Sequence, residues 1–378
     1  MTWKSGSDTI FLQLKEVRSL VKRPVILLTG GGTAGHVSVN EALIPVFNER
    51  GYDIHYIGSH EGIEKELIGE GHPDVTYHAI QSGKLRRYFS MKNMTDPFRI
   101  GAGVMQAFSI IRKVRPEIIF SKGGFVSVPV VLAAKLARIP VVIHESDVTP
   151  GLANRLALPF SKHIFTVFEK TLDYVPAGKA TCTGAVIRPE LFDGVREQGL
   201  RYAGLDGLKP VLLIMGGSQG SAVINDALRK ELPGILERYD VIHLCGKGNI
   251  DEELESTPGY TQFEYVTEGL PHLLAAADFA VSRAGSNAIF ELLALHKPML
   301  LIPLSAAKSR GDQILNASLF ESLGIALVLQ EEEIGKRTML EEFAILEREK
   351  DRLLENMKQT EHPKIPEDMA EMILMYRN

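Results

Sequence analysis

The sequence predicts an α/β protein built from two tandem doubly wound parallel-sheet domains facing a shared cleft. Three observations predict it. Apolar runs alternate with helix-like segments almost throughout, the pattern of parallel strands covered on both faces. Glycine-rich turns follow two of those runs, at Gly30 and Gly216, about half the chain apart. The chain has 378 residues, too many for one ordinary core, so two domains of roughly 150–200 residues are expected.

The elements follow in order. Residues 24–29 (PVILLT) read as a strand, then a glycine turn, then the helix-like 40–51 (NEALIPVFNERG). A strand at 53–58 (DIHYIG) and another within 117–124 (EIIFSKGG) come next, followed by a helix at 129–139 and a strand at 140–146 (PVVIHES). The alternation pauses near 184–189 and restarts at 210–228 (PVLLIMGGSQGSAVINDAL) with strand, glycine turn and helix. Residues 240–246, 278–295 and 298–304 continue it, and 341–360 reads as a charged amphipathic helix. The expected organisation is an extension over 1–23, an N-terminal domain over 24–185, a C-terminal domain over 186–345, and a helix over 346–378 packing across both.

Composition narrows the function classes. Apolar residues make up 45% and charged residues 24%, as in a soluble globular protein. A net charge of −5 leaves no basic excess to favour nucleic acid. Cys182 and Cys245 lie far apart in neither metal nor redox spacing, which fits a reducing compartment. No run reaches the roughly 18 apolar residues of a membrane span, because Lys135 and Arg138 interrupt the best candidate at 126–143. Residues 1–23 lack a signal-peptide cleavage pattern. Within them 9–23 reads as a short amphipathic helix, native or vector-derived, with no assigned function. Neither a D-x-D pair nor a metal-ligand cluster occurs, so no metal or cofactor is expected.

Gly30 to Gly35 matches G-x-G-x-x-G. The dinucleotide reading also wants an acidic residue about 20 positions on, but Gly58 and Ser59 stand there and Glu61 comes late. A turn serving packing alone is one alternative. The favoured one is a loop whose amides face an oxygen-rich ligand at a helix N-terminus. His36 would then sit in the first turn of that helix. The positive end of the helix dipole disfavours imidazolium there and keeps the ring able to accept a proton. A purely structural histidine is the rival reading.

Residues 215–225 repeat the design, with Ser218 and Gln219 adding donors before Gly220. In 282–291 (SRAGSNAIFE), Gly285 and Ser286 open a third helix, and Glu291 is either an acceptor for ribose hydroxyls or a surface glutamate. Arg188, in 183–190 (TGAVIRPE), is either a cation for a diphosphate or an ordinary surface arginine. In 82–113, Lys84, Arg86, Arg87, Lys92 and Arg99 mix with Tyr88, Phe89, Met91, Met94, Phe98 and Phe108. That mixture suits an anionic bilayer surface, although about half of the apolar residues would equally serve the core.

Together, GGTAGH (31–36), SKGGFVSVPVVLAAKLARIPVVIHE (121–145), GLAN (151–154), TGAVIR (183–188), GGSQGS (216–221), RAGSNAIFE (283–291) and DQILNA (312–317) resemble, in this order, the MurG family. The match covers about 24–329. The resemblance implies a GT-B fold. It also implies transfer of N-acetylglucosamine from UDP-N-acetylglucosamine to the lipid-linked muramoyl-pentapeptide, lipid I, giving lipid II for peptidoglycan. It implies His36 as general base, and Thr33, Ala34 and Gly35 at the sugar and diphosphate. Arg188 would meet the diphosphate and Glu291 the ribose. Asp147, Ser218, Gln219, Gly220 and Gln313 would lie on the donor, and Val266 and Thr267 near the uracil. The N-terminal domain would take the acceptor and meet the cytoplasmic face of the membrane through Arg86, Arg87 and Phe89. UDP-N-acetylglucosamine is then a substrate rather than a cofactor, and other cell-wall synthesis proteins are further implied partners. Three departures stand out. The family's HEQN is HESD here, placing Asp147 for an asparagine. Its paired glutamines are Asp312-Gln313, and Lys308 lies near the place of a missing histidine. A UDP-sugar 2-epimerase, a nicotinamide oxidoreductase and a binding protein without catalysis remain rival readings.

Overall fold

A computed structural model describes residues 23–83, 96–217, 219–267, 269–307, 309, 311–360 and 364–377. Arg86, Arg87, Phe89, Ser218 and Lys308 lie outside them.

Apolar runs form the strands because each is buried from both sides. The first, β1 (Val25–Thr29), is buried along its whole length. It pairs in parallel with β2 (Asp53–Ser59) on one side and β4 (Ile118–Ser121) on the other. With β3 (Val75–Ile80), β5 (Val141–Glu145), β6 (His163–Thr166) and β7 (Ala180–Cys182), they form a parallel sheet of order β3-β2-β1-β4-β5-β6-β7. The chain moves outward from β1 to β3 and then returns to β4 on the other side. That reversal places the loops after β1 and β4 at a topological switch point, where open parallel sheets bind ligands.

The second sheet repeats the plan. Strands β8 (Val211–Met215), β9 (Asp240–Leu244), β10 (Tyr260–Phe263), β11 (Phe279–Ser282), β12 (Met299–Leu301) and β13 (Leu327–Val328) run parallel in the order β10-β9-β8-β11-β12-β13. Its switch point lies between the loops after β8 and β11.

Helices cover both sheets. In the N-terminal domain, α1 (Ser38–Glu49) buries Val39, Leu43, Ile44, Val46 and Phe47 on one face. Helices α2 (Asp96–Val114), α3 (Ser127–Ala137) and α4 (Leu152–Ala157) follow. In the C-terminal domain, α5 (Arg196–Ala203), α6 (Ala222–Leu236), α7 (Leu270–Ala276), α8 (Ser286–Ala294) and α9 (Asp312–Ser322) do the same. Where the sequence suggests one terminal helix, the chain makes two. Helix α10 (Met339–Gln359) starts in a capping box, Thr338 with Glu341, and buries Phe343, Leu346 and Leu353 in the second domain's core. Helix α11 (Pro366–Leu374) returns to the first domain, where Met369, Ala370 and Ile373 join the cluster around α1.

Candidate functional site

The loop after β1 is held by a residue the sequence reading did not single out. Glu64 is fully buried. One carboxylate oxygen accepts from the Gly32 amide at 3.0 Å, and the other from the Ser59 amide at 3.0 Å and the Ser59 hydroxyl at 2.5 Å. A Cβ on Gly31 would lie 2.4 Å from that carboxyl carbon, so the glycine is needed for the close approach. The expectation of loop amides facing a ligand therefore needs correction at Gly32, whose amide already serves Glu64.

His36 also differs from expectation. It ends a single 3-10 turn, Ala34–His36, ahead of α1 rather than lying in the helix's first turn. The turn forms because the His36 amide reaches back to the Thr33 carbonyl at 3.0 Å. The Thr33 hydroxyl lies 2.9 Å from His36 Nδ1. When Nδ1 carries the hydrogen and donates to that hydroxyl, Nε2 keeps a lone pair for a proton.

The facing wall comes from the C-terminal domain. Asn287, in the first turn of α8, donates to the Ser38 hydroxyl at 2.6 Å and to the Gly35 carbonyl at 3.5 Å. Arg188 and Glu291 form an ion pair at 3.3 Å. Burial pushes the Glu291 carboxyl above its usual range, and Arg188 opposes the shift. Burial likewise raises Glu41, again opposed by Arg188. Arg188 Nε is buried with no hydrogen-bond partner. Ser38, His144, Ser146, Arg188, Asn287 and Glu291 line one interdomain pocket.

The second glycine loop closes tightly. A Cβ on Gly220, whose φ is +72°, would lie 2.1 Å from the Cys245 carbonyl oxygen. Gln219 beside it is exposed. Ser221 caps α6 through the Ile224 amide at 3.4 Å and accepts from Arg283 at 2.6 Å. Buried Arg283 also pairs with Glu331 and donates to the Ile302 and Pro303 carbonyls. It thereby ties the start of α6 to the switch point.

Other expected donor contacts have protein partners. Asp147 accepts from Asn316 of α9 at 3.1 Å, and Thr149 donates to Asp312 at 3.2 Å. Gln313 accepts from the Leu304 amide at 3.0 Å, leaving its NH2 as the group to offer. Val266 is buried in the C-terminal core and Thr267 is exposed, so the expected uracil region offers the Val266 backbone rather than its side chain. The backbone places Ala34 and Gly35 on the His36 turn. The structure thus gathers Thr33, His36, Arg188 and Glu291 along with Asn287 and Ser38, which no sequence signal flagged. Asn287 was readable only as a helix-start polar residue, and its target lies 249 residues away. Among the described residues, no cluster of three or more His, Cys, Asp or Glu side chains could hold a metal ion.

Comparison with known proteins agrees with this architecture. Residues 26–166 match the glycosyltransferase family 28 N-terminal domain, and 211–371 match its C-terminal domain. A protein of Geobacillus kaustophilus (strain HTA426) is 58% identical over 336 residues, 89% of this chain and 94% of its own. One from Clostridium tetani (strain Massachusetts / E88) is 49% identical over 351 residues, 93% and 98% respectively. Both are named UDP-N-acetylglucosamine–N-acetylmuramyl-(pentapeptide) pyrophosphoryl-undecaprenol N-acetylglucosamine transferase. The crystal structure of Acinetobacter baumannii MurG superimposes with a TM-score of 0.72 at 21% identity, over 94% of this chain and 100% of that one. The UDP-GlcNAc 2-epimerase of Neisseria meningitidis does so at 0.63 and 14% identity, over 94% and 99%. These likenesses show the two-domain GT-B fold alone.

Proposed function

The chain belongs to glycosyltransferase family 28, and on that premise we propose that it transfers N-acetylglucosamine from UDP-N-acetylglucosamine to the undecaprenyl-diphosphate-linked muramoyl-pentapeptide. The observation that carries this reading beyond family membership is the Thr33–His36 contact at 2.9 Å, on the turn whose Gly35 carbonyl meets Asn287 of the interdomain pocket lined by Arg188 and Glu291.

The chemistry is an inverting displacement. The muramoyl C4 hydroxyl attacks the anomeric carbon from the face opposite UDP. His36 Nε2 takes the hydroxyl proton while Thr33 holds Nδ1. As the C1–O bond breaks, negative charge grows on the diphosphate. Arg188 and the N-terminal ends of α6 and α8 meet that charge. The unpartnered Arg188 Nε supports this role. Diphosphate competes for Arg188 and releases Glu291 to accept the ribose hydroxyls. Ala34, Gly35, Ser218, Gln219, Gly220 and the Gln313 amide complete the donor contacts, with Asp147 near the sugar and the Val266–Thr267 backbone near the uracil. The acceptor's lipid places the enzyme peripherally on the cytoplasmic face of the membrane, with Arg86, Arg87 and Phe89 meeting anionic lipid. No described helix is long and apolar enough to cross a bilayer.

The test is incubation of the protein with UDP-N-acetylglucosamine and a short-chain lipid I analogue in the presence of EDTA, followed by mass spectrometry. Disaccharide product with UDP is expected. An epimerised UDP-sugar without disaccharide would overturn the reading. For the membrane contact, changing Arg86, Arg87 and Phe89 together should abolish co-sedimentation with anionic vesicles; unchanged co-sedimentation would remove those residues from the proposal.

A further inference from the structure

The ends of β4 and β5 bury charged groups that the transfer chemistry above leaves without a task. Lys122, directly after β4, is 2% exposed, and its ammonium donates to the Ser146 hydroxyl. Glu145, at the end of β5, is 5% exposed. It accepts from the amides of Ser146 (2.9 Å), Asp147 (3.0 Å) and Gly151 (2.8 Å) and from Asn154 Nδ2 (2.9 Å). Asp147 follows two residues later and accepts from Asn316 across the domain boundary. The Asn316 carbonyl oxygen in turn accepts from the Val148 amide at 3.3 Å. Buried Asn316 stands three residues after Gln313 on α9, so this one side chain joins the 145–149 loop to the donor-side helix.

A buried carboxyl and a half-buried one two residues apart on the same loop repel each other unless a cation sits with them. Asp147 is a cause of the upward push on Glu145, after burial. The Lys122 ammonium reaches this loop at Ser146, between the two carboxyls in sequence; burial pushes it down to about 8, while the charges of Glu145 and Asp147 pull it up. It therefore remains mostly charged at neutral pH. His144, buried next to it with both ring nitrogens unpartnered, is held well below the usual histidine range by burial and by Lys122. It stays neutral and adds no second cation.

We propose that Lys122 is a positioning residue for the transfer reaction: its buried ammonium balances Glu145 and Asp147 and so holds the 145–149 loop on Asn316 and α9. The inference rests on the functional reading above. Without Lys122, Glu145 must take a proton and give up part of its amide network, or Asp147 must turn from Asn316. Either change loosens α9, which carries Gln313.

A double-mutant cycle tests this. Asp147→Asn keeps an acceptor oxygen for Asn316 and removes only the charge. Lys122→Met should raise KM for UDP-N-acetylglucosamine at least tenfold, with a smaller effect on kcat, and weaken calorimetric UDP binding in parallel. Asp147→Asn alone changes KM in its own right, because Asp147 lies near the sugar, so the coupling is read from the cycle: the double variant should have a KM at least threefold below that of Lys122→Met. Additive effects, or a double variant no better than Lys122→Met, would overturn the proposal. Where Lys122→Met does not fold, a double variant that melts like Asp147→Asn supports the coupling, and one that also fails to fold refutes it. A wild-type protein that binds no UDP-sugar would sink the functional reading. The melting cycle would still decide whether Lys122 and Asp147 are coupled.

Discussion

At the scale of single residues, the loop after β1 depends on one side-chain hydrogen bond and one buried carboxylate. His36 is oriented through Nδ1 by Thr33. General-base catalysis is worth about 10² to 10⁴-fold in rate, so His36→Ala should lower kcat by that range while UDP affinity, measured by calorimetry, stays within threefold. Turnover close to wild type would assign the base elsewhere. Glu64 supports the same loop from beneath. Glu64→Ala leaves the Gly32 amide and both Ser59 donors without their acceptor. A donor left unpaired away from water costs about 1–3 kcal/mol; these three are partly buried, so denaturant unfolding should show a loss of about 2 kcal/mol, with kcat falling as the loop loosens. A variant as stable as wild type would mean the loop holds itself. His36 was legible because a glycine run points at it. Glu64 was not, since 32 residues separate it from Gly32 and no local spacing ties a carboxylate to that amide. The same holds for Arg188 and Glu291. Each was readable as a candidate, but their pairing spans 103 residues.

Elements were easier to read where burial is symmetrical. The central strands β1, β4, β5, β8 and β11 are built on short continuous apolar runs, as parallel strands covered on both faces must be, with polar residues only at their ends. The edge strands β7 and β10 carry polar residues, exposed Thr181 and half-buried Gln262 among them, and offer no such run. Helix α11 was hidden for another reason. Its buried Met369, Ala370 and Ile373 make sense only against α1, more than 300 residues away in the chain. The second glycine turn shows how an element's start also depends on backbone conformation. Gly220 sits at φ +72° with the Cys245 carbonyl where a Cβ would go. Left-handed backbone costs a non-glycine residue roughly 1–2 kcal/mol before any clash. Gly220→Ala should therefore destabilise by more than about 2 kcal/mol in denaturant unfolding and weaken UDP binding at least tenfold. Unchanged UDP affinity in a folded variant would remove this loop from the donor site. By contrast, Thr338→Ala removes only the cap of α10, and a loss of about 1 kcal/mol with unaltered activity is expected.

On the scale of the whole molecule, the two sheets are joined by more than the crossing chain. Val148, Val167, Phe168, Ala185 and Ile187 pack with the C-terminal core, and the rings of Phe168 and Phe290 lie 5.1 Å apart. Folding therefore buries histidines in both halves at once, and acid should act on the whole. Burial, followed by Arg229, pushes His243 down to about 3. Its ring lies 2.7 Å from the Tyr260 hydroxyl and 3.0 Å from Asn225. Burial also lowers His144, His78, His163 and His72. A histidine whose folded value is depressed is neutral in both states above its unfolded value near 6.5. Below that the unfolded chain binds the proton first, so stability is lost as pH falls, until the folded value is reached. At 1.36 kcal/mol per unit, His243 alone should cost about 2 kcal/mol between pH 7 and pH 5. Carboxyls raised by burial, Glu145 and Asp240 among them, act with the opposite sign, because the folded form holds their proton more readily. They are common to wild type and a His243→Gln variant, so the difference between the two isolates the imidazole. The variant should lose about 2 kcal/mol less than wild type over that interval in denaturant unfolding, and equal losses would show that His243 does not titrate between the two states.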